Sequence, residues 1–251
     1  MGFDLGEVRR RMPSRALHWH RRMDSTMTEA SRLAAEGCAS GTAVIADEQT
    51  AGIGRHGHSW HSEAGLGLYV SVVLRQKFVD SFPGVTLAVG LAAREAIVEA
   101  TGVVCDLRWP NDLLIGGRKC AGILLNLESK AIIAGIGINV NHGGFPEQLR
   151  ELATSLRIAA GREFRREHLL VELLLAMERY TKLIEEEGIK PVLRLFAQAS
   201  SYVSGMRVRV EQGETALEGV TAGLDESGFL LLRQDNGKLV TVLAGGVRPA
   251  S

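Results

Sequence analysis

The chain has 251 residues, 45% hydrophobic and 23% charged, with 29 basic side chains balancing 29 acidic ones. That composition is ordinary for a globular fold. Zero net charge excludes a global field that would draw the chain onto nucleic acid or an anionic membrane, leaving only local basic sites. No apolar run reaches the roughly eighteen residues of a transmembrane helix. The first ten residues lack the apolar core of a signal peptide, and Gly6 breaks the myristoylation pattern. Cys38, Cys105 and Cys120 are odd in number and scattered, which predicts three thiols, mostly buried, in a reducing cytoplasm.

In chain order, residues 1–12 read as a short amphipathic helix and 16–20 as a strand. Asp24-Ser25-Thr26 supplies an N-cap for a helix over 27–36, which ends at Gly37. The same two hydroxyls at a helix start would also suit a polar clamp for a small ligand. Strands are expected at 42–46 and 68–74, a long Ala- and Leu-rich helix at 85–100, and a strand at 105–109 broken by Pro110. Residues 113–115, the Gly116-Gly117 turn and residues 118–125 read as a hairpin, followed by a strand from 131 that runs out through Gly135-Ile-Gly-Ile-Asn139. Helices are expected at 155–159, 165–187 and from Pro191 to 196; in the second, Leu169, Leu170, Leu173, Leu174, Met177 and Ile184 form a core-facing stripe.

From Gly205 the character changes to short strands at 206–210, 218–222, 229–233 and 238–242, with turns at Gly213, 225–228 and Asn236-Gly237. A unit of under about fifty residues is marginal alone and should dock on the rest. The expected architecture is therefore α+β, a mixed or antiparallel sheet packed with helices over residues 1–204, plus a small β-barrel over 205–251.

The chemistry-bearing residues sit at strand ends: Ser25-Thr26, the run from Gln49 to Trp60, Asn111-Asp112 with Lys119, and Asn139. Glycines 52, 54 and 57 let backbone approach a ligand closely, and Arg55 among them suits a phosphate or carboxylate. A dinucleotide-binding turn is disfavoured, because a strand rather than a helix follows the glycines. His56, His58 and His61 lie near one another without acidic company inside the loop and offer little as a zinc site. No nucleophile–base pair, nucleophile elbow or Walker loop is present. Two cations, glycine amides and Asp112, a partner for Lys119 or for Mg²⁺, suit charge stabilisation at an anionic phosphate centre.

The ordered motifs resemble those of the biotin–protein ligase family, the biotin–[acetyl-CoA-carboxylase] ligases. That family's Gly-Arg-Gly-Arg-x-Gly-Arg-x-Trp corresponds to Gly52-Ile-Gly-Arg55-His-Gly-His-Ser-Trp60, and its Lys-Trp-Pro-Asn-Asp to Arg108-Trp-Pro-Asn-Asp112. Lys119 and Gly122-Ile-Leu124 follow at the family spacing, with Asp24-Ser-Thr before and Gly137-Ile-Asn139 after. The resemblance implies a class II synthetase-like catalytic domain with an SH3-like C-terminal barrel, in a short form lacking the N-terminal DNA-binding domain of some members. It implies ATP-dependent, Mg²⁺-assisted formation of biotinyl-5′-AMP and transfer to a lysine of a biotin carboxyl carrier protein, by a monomer or homodimer with no nucleic-acid or membrane partner.

It further implies biotin contacts from Ser25, Thr26, Met27, Gln49, Gly52, Ile53, Gly54, Arg55, Lys119 and Gly122, and ATP contacts from Arg55, Trp60, Asn111, Lys119 and Asn139. Arg55 and Lys119 would be catalytic and Asp112 would face Mg²⁺. Ile53 and His58 stand where the family has arginines, Gly67 and Met27 where it has Asn, Asn126 where it has Glu, and Arg108 where it has Lys. A lipoate or octanoyl transferase of the same fold and a non-catalytic biotin sensor are the competing readings.

Overall fold

A computed structural model of the chain describes residues 2–75, 82–212 and 215–250. The turn expected at Gly213 lies outside them. The elements are α1 (Leu5–Arg11), β1 (Leu17–His20), α2 (Thr26–Ala35), β2 (Ala43–Ala46), β3 (Gly67–Arg75), α3 (Phe82–Thr101), β4 (Asp106–Arg108), β5 (Asp112–Ile115), β6 (Arg118–Glu128) and β7 (Ala131–Asn139). Then come α4 (Leu156–Ala160), α5 (Arg166–Glu187), α6 (Lys190–Ala199), β8 (Ser204–Gln212), β9 (Thr215–Leu224), β10 (Leu230–Arg233), β11 (Leu239–Val242) and β12 (Gly246–Pro249). No described helix is long and apolar enough to cross a membrane.

The first seven strands form one sheet in the order β1-β2-β3-β7-β6-β5-β4. Only β1 and β2 pair in parallel; the other neighbours are antiparallel, so the sheet is mixed. The period of two along β3 explains its place at the centre. Leu68, Val70, Val72 and Leu74 face the large core under α3 and α5, while Val73 joins Val44 and Ile133 beneath Met27, Ala30, Leu33 and Ala34 of α2. Each fully buried aliphatic side chain of this kind contributes about 1.5–3 kcal/mol relative to exposure. The stripe on α5 faces this core as its spacing predicts.

The β6–β7 hairpin is longer than the apolar pattern indicates, and it turns through Ser129 (φ 48°) and Lys130 (φ 62°). Two positive φ values match the twist of a two-residue hairpin, but neither residue is the Gly or Asn that would announce the turn. Cys105 and Cys120, far apart in sequence, are buried neighbours with sulfurs 3.7 Å apart; their contact and burial push the Cys120 thiol up.

Strands β8–β12 form a five-stranded antiparallel sheet of SH3-like form in the order β11-β10-β9-β8-β12. The fifth strand is a correction to the four expected. Gly245, Gly246 and Pro249 disguise it, and β12 escapes that penalty by running along the sheet edge beside β8 alone. Val208, Val210, Leu230, Leu232 and Val242 belong to the same continuous core as α3 and α5, and the Trp109 indole N–H donates to the Gly228 carbonyl at 2.9 Å.

Candidate active site

A neutral polar chain crosses the α2 face of the sheet. Ser25 caps α2, its hydroxyl accepting from the Met27 amide at 3.2 Å. Thr26 is thereby the first helical residue and lies under the β2 exit loop. Gln49 Oε1 accepts from the Thr26 amide at 2.8 Å and from its hydroxyl at 3.1 Å, while Gln49 Nε2 donates to Ser62 Oγ at 2.9 Å. Buried Ser71 on β3 donates to Thr26 Oγ1 at 2.8 Å. All these groups are uncharged, and each holds its neighbour in one orientation.

The glycine run folds as a small hairpin. Gly54 N–H donates to the His58 carbonyl at 2.7 Å and Trp60 N–H to the Gly52 carbonyl at 2.8 Å, with a single 3₁₀ turn at Arg55–Gly57 between them. This returns Trp60 across the sheet. Its ring lies so close to β7 that a Cβ on Gly137 would sit 2.4 Å from it, and a Cβ on Gly122 would meet both Trp60 and the Lys119 side chain. The two glycines therefore make an apolar floor on which Trp60 rests, and the Lys119 ammonium sits 5.2 Å from the Trp60 ring centre.

The far wall is charged. Asp112 is held by Arg108 Nη2 at 2.7 Å on Oδ2 and by Lys119 Nζ at 2.5 Å on Oδ1. Burial raises the Asp112 pKa, but the charges and hydrogen bonds of Lys119 and Arg108 outweigh it and leave the carboxyl below its ordinary value. Arg55 reaches the same wall and donates to Asn111 Oδ1 at 2.9 Å and to the Gly245 carbonyl at 3.4 Å. Burial lowers its pKa and the Asp112 charge partly offsets that, yet a guanidinium stays cationic. Asn111 and Asn139 donate to backbone carbonyls, of Ile123 at 2.7 Å and of Thr154 at 3.1 Å.

These walls enclose a cleft of about 1360 Å³. Ser25, Thr26, Met27, Gln49, Ile53, Gly54, Arg55, Trp60, Asn111, Asp112, Lys119, Gly122 and Asn139 all line it. Gly52 is instead packed behind the wall, where a Cβ would fall 2.6 Å from the Trp60 carbonyl. Three contributors escaped the sequence reading. Ser71 is hidden in an apolar strand. Leu149 and residues 151–153 come in because Lys119 of β6 bridges to this segment, its amide donating to the Leu152 carbonyl at 2.8 Å. Residues 243–249, Arg248 among them, bring the C-terminal sheet to the rim.

Asp112 stands between two cations, so it does not form a standing Mg²⁺ cage of its own. It fits the mode in which the ion arrives on substrate phosphates and takes one carboxylate from the protein. A neutral hydrogen-bonding end, an apolar middle and a cationic end suit a cleft that takes a small carboxylic acid beside a phosphate-bearing partner.

Comparison with known proteins agrees. Residues 19–142 match the Biotin/lipoate A/B protein ligase family and residues 203–247 match the Biotin protein ligase C terminal domain. The chain is 36% identical over 230 residues to the Bifunctional ligase/repressor BirA of Bacillus subtilis (strain 168), covering 88% of this chain and 70% of that protein. It is 30% identical to the Biotin--[acetyl-CoA-carboxylase] ligase of Paracoccus denitrificans, covering 87% and 95%. The biotin protein ligase from Aquifex aeolicus in complex with biotin and ATP superimposes with a TM-score of 0.85 at 32% identity, covering 94% of this chain and 99% of that one. The chain belongs to the biotin protein ligase family.

Proposed function

We propose that this protein activates biotin with ATP to biotinyl-5′-AMP and transfers the biotinyl group to a lysine of a biotin carboxyl carrier protein. The observation that carries the residue assignment is the polarity of this cleft: a neutral network at one end and cations at the other, joined by the Trp60 floor. Biotin's ureido group asks for neutral donors and acceptors, and Thr26, Gln49 and Ser25 offer them. Its valeryl chain asks for apolar surface, which Trp60, Met27 and the glycine floor supply.

Joining a carboxylate to the α-phosphorus of ATP brings negative charges together. Lys119 and Arg55 neutralise them as they approach, and this positioning and charge stabilisation is most of what phosphoryl chemistry needs. Mg²⁺, when bound, screens the phosphates, with Asp112 offering it a carboxylate. Asn111 holds Arg55 in place, and Asn139 ties the end of β7 to the segment that carries Lys119. Gly52, Ile53 and Gly54 shape the loop over the acyl group. The carrier's lysine then attacks the anhydride carbonyl and AMP leaves. Lipoate and octanoate lack the ureido group that Thr26 and Gln49 would read, so biotin is the favoured acid.

The test is incubation with ATP, Mg²⁺, biotin and a biotin carboxyl carrier domain, with the carrier then weighed by mass spectrometry. One biotinyl group on one lysine, absent when ATP is omitted, is expected. An unmodified carrier, or equal modification with lipoate, contradicts the reading.

A further inference from the structure

Beside the cleft, three metal-ligating side chains converge that the ligase chemistry does not use as a set. His61 follows Trp60 at the trailing end of the glycine hairpin, Glu63 lies two residues on, and His142 leaves the end of β7. Their ligand atoms all lie within 4.8 Å of one another, and His61 Nε2 is 3.0 Å from Glu63 Oε1. In a tetrahedral zinc site with bonds of about 2.1 Å, donors stand roughly 3.4 Å apart, so a small adjustment closes the set around an ion.

His142 provides the independent observation. It is wholly buried, yet neither ring nitrogen has a hydrogen-bond partner among the described residues. Phe145 stacks on it at 5.1 Å and fixes the ring plane, while its main-chain carbonyl is held by Ser155 Oγ at 2.7 Å. A buried imidazole with both nitrogens idle is costly unless something absent from the protein chain takes one of them.

We propose that His61, Glu63 and His142 form a binding site for a zinc-type divalent cation, separate from any Mg²⁺ that accompanies ATP. Two imidazoles and one carboxylate favour Zn²⁺ over Mg²⁺, which prefers oxygen ligands. The ion would fasten the trailing limb of the glycine hairpin to the turn after β7. Because His61 and Phe145 also line the cleft, that fastening would set the position of Trp60 next to them.

The site is tested on the full chain without biotin or ATP, so its failure and the failure of the ligase reading are distinguishable. The protein is dialysed with Zn²⁺ against millimolar Mg²⁺ and its metal content measured, and Co²⁺ is titrated while the visible absorption is followed. One retained equivalent of zinc and an intense tetrahedral Co²⁺ band are expected. His61→Ala, Glu63→Gln and His142→Ala should each weaken retention at least about tenfold, whereas His58→Ala should not. His61 and Glu63 are partly exposed, so those two variants carry the test if the His142 variant does not fold. No retained zinc in the wild type would overturn the proposal. So would full retention by Glu63→Gln or His142→Ala, which would point to the loop histidines alone.

Discussion

Lys119 is where the chemistry is most concentrated. Its ammonium touches Asp112 and covers the Trp60 ring, so one side chain links the cationic and apolar parts of the cleft. Replacing it with Ala should slow adenylate formation about a hundredfold or more, the usual effect of losing one donor to a developing anion. Single-turnover pyrophosphate release measures this. Asp112 gives a pH prediction. Its folded pKa lies below the ordinary carboxylate value, so its stabilising contribution is present above about pH 4 and is lost as pH falls through the folded value. Urea unfolding at pH 7 and pH 3 should therefore show a larger acid loss for the wild type than for Asp112→Asn. Equal losses would mean that the ion pairs with Arg108 and Lys119 contribute nothing to stability. At this scale the motif residues were legible because charged and glycine residues in apolar surroundings are conspicuous. Ser71 was not, since a lone hydroxyl in a strand of Val and Leu resembles a tolerated core serine. Glu63 and His142 were not linked because 79 residues separate them and only the β3–β7 pairing brings them together.

The glycine hairpin is the element on which retention of the intermediate depends. Arg55 donates to Asn111 and to the Gly245 carbonyl, both neutral acceptors. An anionic phosphate would outbid them, because charge-assisted hydrogen bonds are roughly twice as strong as neutral ones. Arg55→Gly should leave biotin affinity nearly unchanged while letting the adenylate escape, so unrelated proteins acquire biotin on surface lysines. Streptavidin blotting of a mixed-protein reaction distinguishes this from wild-type behaviour, and indistinguishable blots would remove the hairpin from that role. A second element-scale device is buried Arg166 at the start of α5. It bonds to Asp47 at 2.7 Å and to the Gly67 carbonyl at 3.1 Å, fixing the strand ends that launch and receive the hairpin. Arg166→Ala leaves Asp47 and the Gly67 carbonyl without this donor and should cost about 1–3 kcal/mol, read as a lower urea midpoint. Periodicity revealed the helices and central strands well. It missed β12 and the Ser129-Lys130 turn, where pairing with a neighbour overrides local preference.

At the scale of the molecule, the cleft is completed by residues distant in sequence. Met27 and Gln49 form one end, Lys119 the other, and residues 243–249 of the C-terminal sheet the rim. That rim was foreseen only as a docked unit, since nothing in its short strands signals which edge turns inward. Arg248 on it faces the cleft and is only loosely paired with Glu211, at 3.9 Å. Arg248→Glu should raise the KM for ATP or for the carrier several-fold and leave biotin binding intact, as calorimetry and steady-state kinetics would separate. The central claim is that the two ends of one cleft serve biotin and ATP together. Isotope exchange between pyrophosphate and ATP tests it most directly. Exchange that requires biotin, is not supported by octanoate, and falls about a hundredfold in Lys119→Ala is the predicted result. Exchange independent of biotin, or undiminished by the loss of Lys119, would contradict it.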